Sequence, residues 1–517
     1  MKRNRLLQLL VATLAALALT APAFARIELE ATAFSVSSFG GGDKIDATCG
    51  TASPSFFCNT GETELTRITS KGVDYFFDEA GQLVAAYGKQ QRGQKLKDYT
   101  IDARTNLIPF DSSIPALALL VNGEYVQPEV VASDWQASGD GVLVGTFEQR
   151  IGGLEVTRRL TLHSGVDTFG VELTVTRTAA ADASEQIQLA MPGIGRTTSP
   201  TVKIGHGESF TLNPAEQAFP DPTYVALQNN NNNRDFALIM RPAPGSTGLS
   251  ATYMRPNRVA LQAELGAAAG SSYTFDTGMY PGHNELVRYS QETYLELPGL
   301  FNPNILGRLS LIVVRILEFV HQYVPSWGLS IIVLTLMFRA LIWPLISTQT
   351  KSMFGMQRLQ PKLQELQRKY KDDREKLTQE TMALYREAGV NPAGGCLPII
   401  VQMPLFIILW RVFVNFEFNE GFLWLPDLGQ ADPFFILPVL YVAVMVATSY
   451  FSARGNPQML RQSLIINVVF VFIIVGFPAG VLVYYVVSML VQVFQYWLLS
   501  RGQPPTPPVA AIAKRSK

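Results

Sequence analysis

Arg339 is the residue whose chemistry needs explaining. It stands inside Leu329–Ile346 with apolar neighbours on both sides, where a guanidinium costs at least about 2.5 kcal/mol on membrane-insertion scales. Ser347 follows about 12 Å further along a helix, so the charge lies too deep for a simple boundary residue, although its long stem could snorkel toward headgroups. The other apolar segments carry isolated polar side chains as well: Gln402, Thr448, Ser449, Asn467, Ser488, Gln492 and Gln495, with Thr335 one turn before the arginine. Each alone reads as interhelical glue worth about 0.6 kcal/mol. Gathered at one depth around a buried cation, they would line a wet cavity. Such a cavity lets a polar peptide segment travel partway into a bilayer without losing all hydration, which lowers the desolvation cost of transfer. Arg339 would attract acidic residues or peptide carbonyls of that segment.

Whether these side chains share a depth depends on the elements that carry them. Apolar segments at about 327–347, 396–416, 434–452, 462–477 and 479–499 approach the roughly 20 residues a bilayer core needs, the fourth being short. Phe477-Pro478-Ala479-Gly480 makes the last two a tight hairpin. The connection after the first carries Lys351, Arg358, Lys362, Arg368, Lys369, Lys371, Arg374, Lys376 and Arg386, whereas 417–433 has Glu417, Glu420, Asp427 and Asp432 and no Lys or Arg. Positive-inside bias therefore places the first connection in the cytosol and the acidic one outside. Arg454, Arg461 and the tail 501–517, with Arg501, Lys514, Arg515 and Lys517, agree. On this topology Gln402 and Asn467 come early in inside-to-outside segments, while Thr448, Ser449, Gln492 and Gln495 come late in outside-to-inside ones. All fall in the cytosolic half with Arg339. Ser488 and Thr335 lie nearer the middle, and the outer halves are almost purely aliphatic and aromatic.

The rest of the chain belongs in water. Residues 1–25 read as an export signal: Lys2, Arg3 and Arg5, an apolar run Leu6–Leu19, and Ala23-Phe24-Ala25 before Arg26. The alternative is a retained first span. Residues 26–300 predict an all-β sandwich outside the cytosol, with period-two runs such as Val171, Leu173 and Val175, no helix of useful length, and an exposed loop at Asn229–Asn233. Cys49 and Cys58 could close a short disulfide loop there; Cys396 stands alone in the apolar half. Residues 305–324 predict an interfacial amphipathic helix with Arg308, Arg315, Glu318 and His321 on its polar side. The cytosolic connection 348–390 predicts a helical hairpin, its first arm kinked or restarted at Pro361 and its second beginning near Asp372 and ending at Gly389. Its charges suit a solvated face or a docking surface for ribosomes or targeting factors. Lys+Arg and Asp+Glu balance at 42 each, which provides no field for nucleic acid.

Several stretches resemble the YidC, Oxa and Alb family of insertases: Phe338-Arg339-Ala340-Leu341-Ile342-Trp343-Pro344-Leu345, Ala383-Leu384-Tyr385, Asn391-Pro392-Ala393-Gly394-Gly395-Cys396-Leu397-Pro398, Gln402-Met403-Pro404-Leu405-Phe406, and Phe477-Pro478-Ala479-Gly480 with Tyr484-Tyr485. They cover 327–500 in order. The resemblance implies an α-helical five-helix transmembrane insertase core with a cytosol-open hydrophilic groove, preceded by a periplasmic β-supersandwich of the Gram-negative type. Arg339 matches the family's groove arginine, and Thr335 and Tyr485 match positions contacting substrate. The implied partners are nascent membrane proteins and the lipid bilayer of the inner membrane, with the Sec translocon, the ribosome and the signal-recognition-particle receptor as further candidates. No cofactor is expected. That branch of the family usually keeps a first spanning helix where this chain shows a cleavage-like site.

Two other functions share parts of this pattern. A secondary transporter would show repeated halves and broken helices, and no internal symmetry is visible. A carbohydrate-active exported domain on a membrane anchor would need paired carboxylates or a metal-ligand spacing, and His163, His206 and His283 are scattered.

Overall fold

The computed structural model describes residues 29–35, 64–89, 107–108, 114–139, 141–195, 200–229, 236–254, 258–389, 397–418, 420–452, 460–461, 464–465, 468 and 474–501. The export segment 1–25, Cys49, Cys58, Cys396, Asn467 and most of the loop at 229–233 lie outside them, as does most of the expected fourth span. The chain forms two compact units: a β unit, Phe24–Leu311 with Asn415–Asn419, and a helical unit that includes Ile312–Val414 and Glu420–Lys517.

The strands of the β unit follow from period-two burial. In Leu154–His163 the side chains of Leu154, Val156, Leu160 and Leu162 point inward, while Glu155, Thr157 and Arg159 face water. That strand pairs antiparallel with Val142–Ile151 on one side and Phe169–Arg177 on the other, setting Leu173 opposite Arg158. These belong to a nine-stranded antiparallel sheet that continues through Ser272–His283, Phe236–Pro242, Pro222–Asn229, Thr201–His206 and Ser209–Leu212, with Glu129–Ala137 at the other edge. A six-stranded sheet is centred on Glu185–Met191 and Arg258–Leu265, and a four-stranded one runs Ala31–Ser35, Glu64–Thr69, Val73–Phe77 and Leu83–Gly88. One core joins all three: Val171, Leu173 and Val175 share it with Ile187, Leu189, Leu261, Tyr75 and Phe77.

One inward position holds a charge. Arg158 is fully buried and donates to the carbonyls of Gly81 at 2.8 Å and Leu117 at 2.9 Å. Nearby Asp78 is pushed up to about 7 by burial, with the Gln82 backbone N–H and Arg158 opposing the shift. Within 26–300 a short helix, α1, covers Leu286–Gln291 and is followed by a 3-10 turn at Tyr294–Glu296. At six residues α1 is too short to show a helical period. Burial of Tyr289 with Tyr224, Tyr280 and Tyr294 holds it in place.

Helix α2 covers Ile305–Tyr323, where the sequence predicts an amphipathic helix. Val313, Val314, Leu317 and Val320 form its buried stripe, while Ile312, Phe319 and Tyr323 are exposed. Helix α3 is one helix over Trp327–Lys369 with Pro344 and Pro361 inside it, so the first arm does not restart at Pro361. An internal proline removes one hydrogen bond at a cost of about 3 kcal/mol, and buried Phe354 and Leu363 hold the helix on either side. Helix α4, Arg374–Glu387, buries no side chain and is N-capped by Asp373, whose carboxylate accepts the Lys376 N–H at 3.0 Å. Helices α5 (Leu397–Asn415), α6 (Ile436–Ser452) and α7 (Ala479–Ser500) complete the described helical unit. The Trp327–Met356 part of α3 and all of α7 are long and apolar enough to cross a membrane.

Candidate functional site

Helices α3 and α7 pack side by side, and the site lies on their shared face. Arg339 is 7% exposed, and its Nε donates to the Oγ of fully buried Ser488 at 2.6 Å. Among the described residues no carboxylate lies within ion-pair distance of its guanidinium. Tyr484 and Tyr485 are close enough to act on its charge, and Gln402 of α5 lies beside both tyrosines. The Gln402 Nε2 is buried and faces the Tyr484 and Tyr485 side chains. The arrangement is a desolvated cation on α3 and a carboxamide on α5, joined through Tyr484 and Tyr485. Both can give hydrogen bonds to a carbonyl or carboxylate.

The remaining expected residues divide by where their hydrogen bonds go. The hydroxyls of Thr335 and Thr448 donate to carbonyls of their own helices, Ile331 at 2.6 Å and Val444 at 2.8 Å, so neither needs a partner across the site. Gln495, 2% exposed, donates to the Trp343 carbonyl at 3.1 Å and to the Ser347 hydroxyl at 2.8 Å. It clamps α7 to α3. Gln492 is half-buried on α7, and Ser449 is buried on α6. The structure thus brings together Arg339, Ser488, Gln402 and Tyr485. It sets Gln495 against the backbone of α3, and Asn467 lies outside the described residues.

The sequence reading assigned no role to a chain of rings around this centre. Tyr441 meets Tyr485 at 6.2 Å, Tyr485 meets Phe406 at 6.1 Å, and Phe406 meets Phe477, which stands 4.9 Å from Trp410. Tyr484 packs edge-on to Tyr485 at 5.1 Å. Aromatic rings in otherwise aliphatic segments were the available signal. They link α5, α6 and α7 with side chains that have few rotatable bonds, which makes a stiff wall.

The acidic loop after α5 seats the helix ends. Glu420 accepts the Trp327 N–H at the start of α3 at 2.7 Å. Asp432 accepts from the backbone N–H groups of Phe434 at 3.0 Å and Leu437 at 2.7 Å, at the start of α6. The N–H groups of Ala479 and Gly480 at the start of α7 donate to the carbonyls of Gln430 at 2.6 Å and Leu428 at 2.8 Å. A Cβ on Gly480 would come within 3.2 Å of that Leu428 carbonyl, which accounts for a glycine at this close approach.

Comparison with known proteins bears on what such a site does. Residues 319–505 match a family model described as 60Kd inner membrane protein. Membrane protein insertase YidC of Deinococcus radiodurans is 34% identical over 383 residues, which are 72% of this chain and 86% of that protein. Membrane protein insertase YidC of Oleidesulfovibrio alaskensis is 30% identical over 422 residues, 74% of this chain and 77% of that protein. A crystal structure of an active YidC insertase with the first transmembrane domain resolved aligns with a TM-score of 0.55 at 19% identity, covering 96% of this chain and 99% of that one. The shared fold is a β-rich N-terminal part followed by helices.

Proposed function

Because the chain belongs to the YidC family of membrane protein insertases, we propose that it moves polar segments of client proteins into the bilayer along a groove built around Arg339, Ser488, Gln402, Tyr484 and Tyr485 and open to the cytosol. Membership makes the chain a non-enzymatic insertase of the inner membrane whose substrates are nascent membrane proteins.

The observation that carries the groove is a guanidinium only 7% exposed with no carboxylate in reach among the described residues. A desolvated cation without a counter-charge is costly. That cost suits a site where the client supplies the missing acceptors, either acidic side chains or peptide carbonyls. The Gln402 amide, beside Tyr484 and Tyr485, is a second donor for the same segment. The aromatic chain would close the groove beyond Arg339 and leave a thinned apolar barrier to cross.

The proposed topology rests on charge. The basic connection 348–390, in which α4 buries nothing, is read as a cytosolic hairpin between two of five core spans, and the tail 501–517 as cytosolic. The β unit is read as periplasmic, after a first apolar segment that is either cleaved or kept. Thr335, Thr448, Ser449, Asn467, Gln492 and Gln495 are read as the groove's polar surroundings. The Sec translocon, the ribosome and the signal-recognition-particle receptor are proposed partners on the same footing. Photocrosslinkers at Arg339, Gln402 and Gln492 test the reading: they should capture nascent membrane proteins, while one at Val439 near the start of α6 should capture far fewer. Equal capture at all four positions, or none, removes the groove.

A further inference from the structure

The outward face of the six-stranded sheet carries a cleft of about 450 Å³, in the size range of small-molecule sites. Period two builds its floor. Ile187, Leu189 and Met191 enter the core from one strand, and Leu261, Ala263 and Leu265 from its neighbour, which turns Gln186, Gln188, Gln262 and Glu264 outward. Gln188 stands opposite Gln262 in the ladder, Gln186 opposite Glu264, and Gln262 opposite Ser250 of the next strand. Gln188 is 3% exposed, and its Nε2 donates to Gln186 Oε1 at 3.0 Å and to Gln262 Oε1 at 3.3 Å. Its own Oε1 is buried with no partner among the described residues. Flipping that amide would set an oxygen against two others, so the donor stays between the two acceptors and the buried oxygen is left over. At the end of the cleft Asn122, with a left-handed φ of 51°, accepts the Gln186 N–H on its Oδ1 at 3.0 Å.

The carboxamides lining the cleft, Asn122, Gln186 and Gln262, therefore have their oxygens held by the protein, and the end of each left for a ligand is its NH2 group. Acceptors stand beside these donors. Glu264, opposite Gln186, accepts the Ser184 hydroxyl with one carboxylate oxygen and keeps the other, while the Ser250 hydroxyl lies opposite Gln262. Among the described residues no Lys, Arg, aromatic ring or large aliphatic side chain lines the cleft. Glu185 is matched by Arg177 at 2.7 Å, so the charge of Glu264 disfavours anions, and nothing there rewards an apolar ligand. The backbone groups of both central strands are paired in the sheet, which leaves an extended peptide no edge to join. A hydroxyl both donates and accepts, so neighbouring hydroxyls of one ligand suit NH2 groups set beside carboxylate and hydroxyl oxygens. A merely solvated face needs no buried glutamine to orient two others. We propose that this cleft binds a neutral oligosaccharide, a binding activity of the β unit separate from client insertion.

The test uses the full chain in phospholipid proteoliposomes free of glycolipid, with saturation-transfer NMR as the readout and maltotriose, cellotriose and triacetylchitotriose as probes. At least one of the three should bind with a Kd of about 1 mM or below. Gln186→Leu and Gln262→Leu should each weaken it about tenfold or more. Gln188→Glu is the sharper variant. A carboxylate has no hydrogen to give, so the Gln186 and Gln262 amides turn their NH2 groups toward it, and binding should be lost although every lining residue is kept. Gln136→Leu, on the exposed edge strand Glu129–Ala137, should bind as the wild type does. Where Gln188→Glu does not fold, Gln262→Leu decides, since Gln262 is only half-buried. Absence of binding to all three probes at about 10 mM overturns the proposal, as does equal affinity in wild-type and Gln262→Leu chains or in a folded Gln188→Glu chain. Tighter binding of a sulfated trisaccharide or of trialanine than of every neutral probe also overturns it.

Discussion

The Nε of Arg339 on α3 donates to the Oγ of Ser488 on α7 at 2.6 Å, tying two helices together at a depth where both are otherwise apolar. A hydrogen bond from a charged donor contributes about 1.5–3 kcal/mol, which goes some way toward offsetting burial of the guanidinium. The rest of that charge is left for a client. Arg339→Ala should therefore lower client insertion at least about tenfold in a protease-protection assay. Arg339→Lys, which keeps the charge and loses the planar fork, should fall between. Wild-type insertion by the alanine variant would end the groove reading.

Ser488→Ala separates holding the arginine from using it. The variant should melt lower by the equivalent of about 1–2 kcal/mol and retain most insertion, because the guanidinium stays. A variant that loses insertion without a change in melting would make the hydroxyl itself part of the client path.

Gln495 should behave as a clamp. Gln495→Leu loses two hydrogen bonds to α3 and should lower stability by about 1–2 kcal/mol, with insertion per folded molecule preserved. Collapse of insertion at an unchanged melting temperature would return Gln495 to the groove wall.

Gly88 tests the packing of the β unit. A Cβ there would stand 2.0 Å from Phe236 Cε1, and Phe236 is itself 6% exposed. Gly88→Ala should cost about 1–3 kcal/mol, read from the thermal transition of the β unit. Phe236→Leu in the same chain should recover part of that loss; no recovery would show that the clash lies elsewhere.

Asp78 predicts a pH dependence with a definite sign. Its carboxyl is pushed up to about 7 by burial, so the folded chain holds a proton that the unfolded chain releases near pH 4. Stability from this group is fully present below the unfolded value and falls as pH rises through 7. The β-unit transition should be higher at pH 5.5 than at pH 8 by about 1–2 kcal/mol. Asp78→Asn should therefore flatten the profile. A stability that rises over this interval would contradict the assignment.

Much of this was legible in the residues. Val171, Leu173 and Val175 alternate because one face of their strand is buried, and each lies in the core. The stripe of α2 and the apolar runs of α5, α6 and α7 follow from the same one-dimensional rule. Short or interrupted signals were not legible in the same way. Helix α1 is only six residues long, below one full amphipathic repeat. Pro361 stands inside α3, which does not restart there. Glu417 and Glu420 read as two charges of an acidic loop, yet Glu417 is clamped inside the β unit and Glu420 caps α3.

The amino-acid sequence by itself determined the two solvents this chain is built for, the helices and strands that meet them, and the presence of a charge where none is cheap. Those properties depend on residue type and spacing along the chain. Only the tertiary structure decided that Arg339 meets Ser488 and no described carboxylate, that Gln402 lies beside Tyr484 and Tyr485 while Gln495 donates to α3, and that Glu417 is held by Lys71 and Gln291. Hydrogen-bond partners far apart in sequence are chosen by packing, and no period or composition carries that choice.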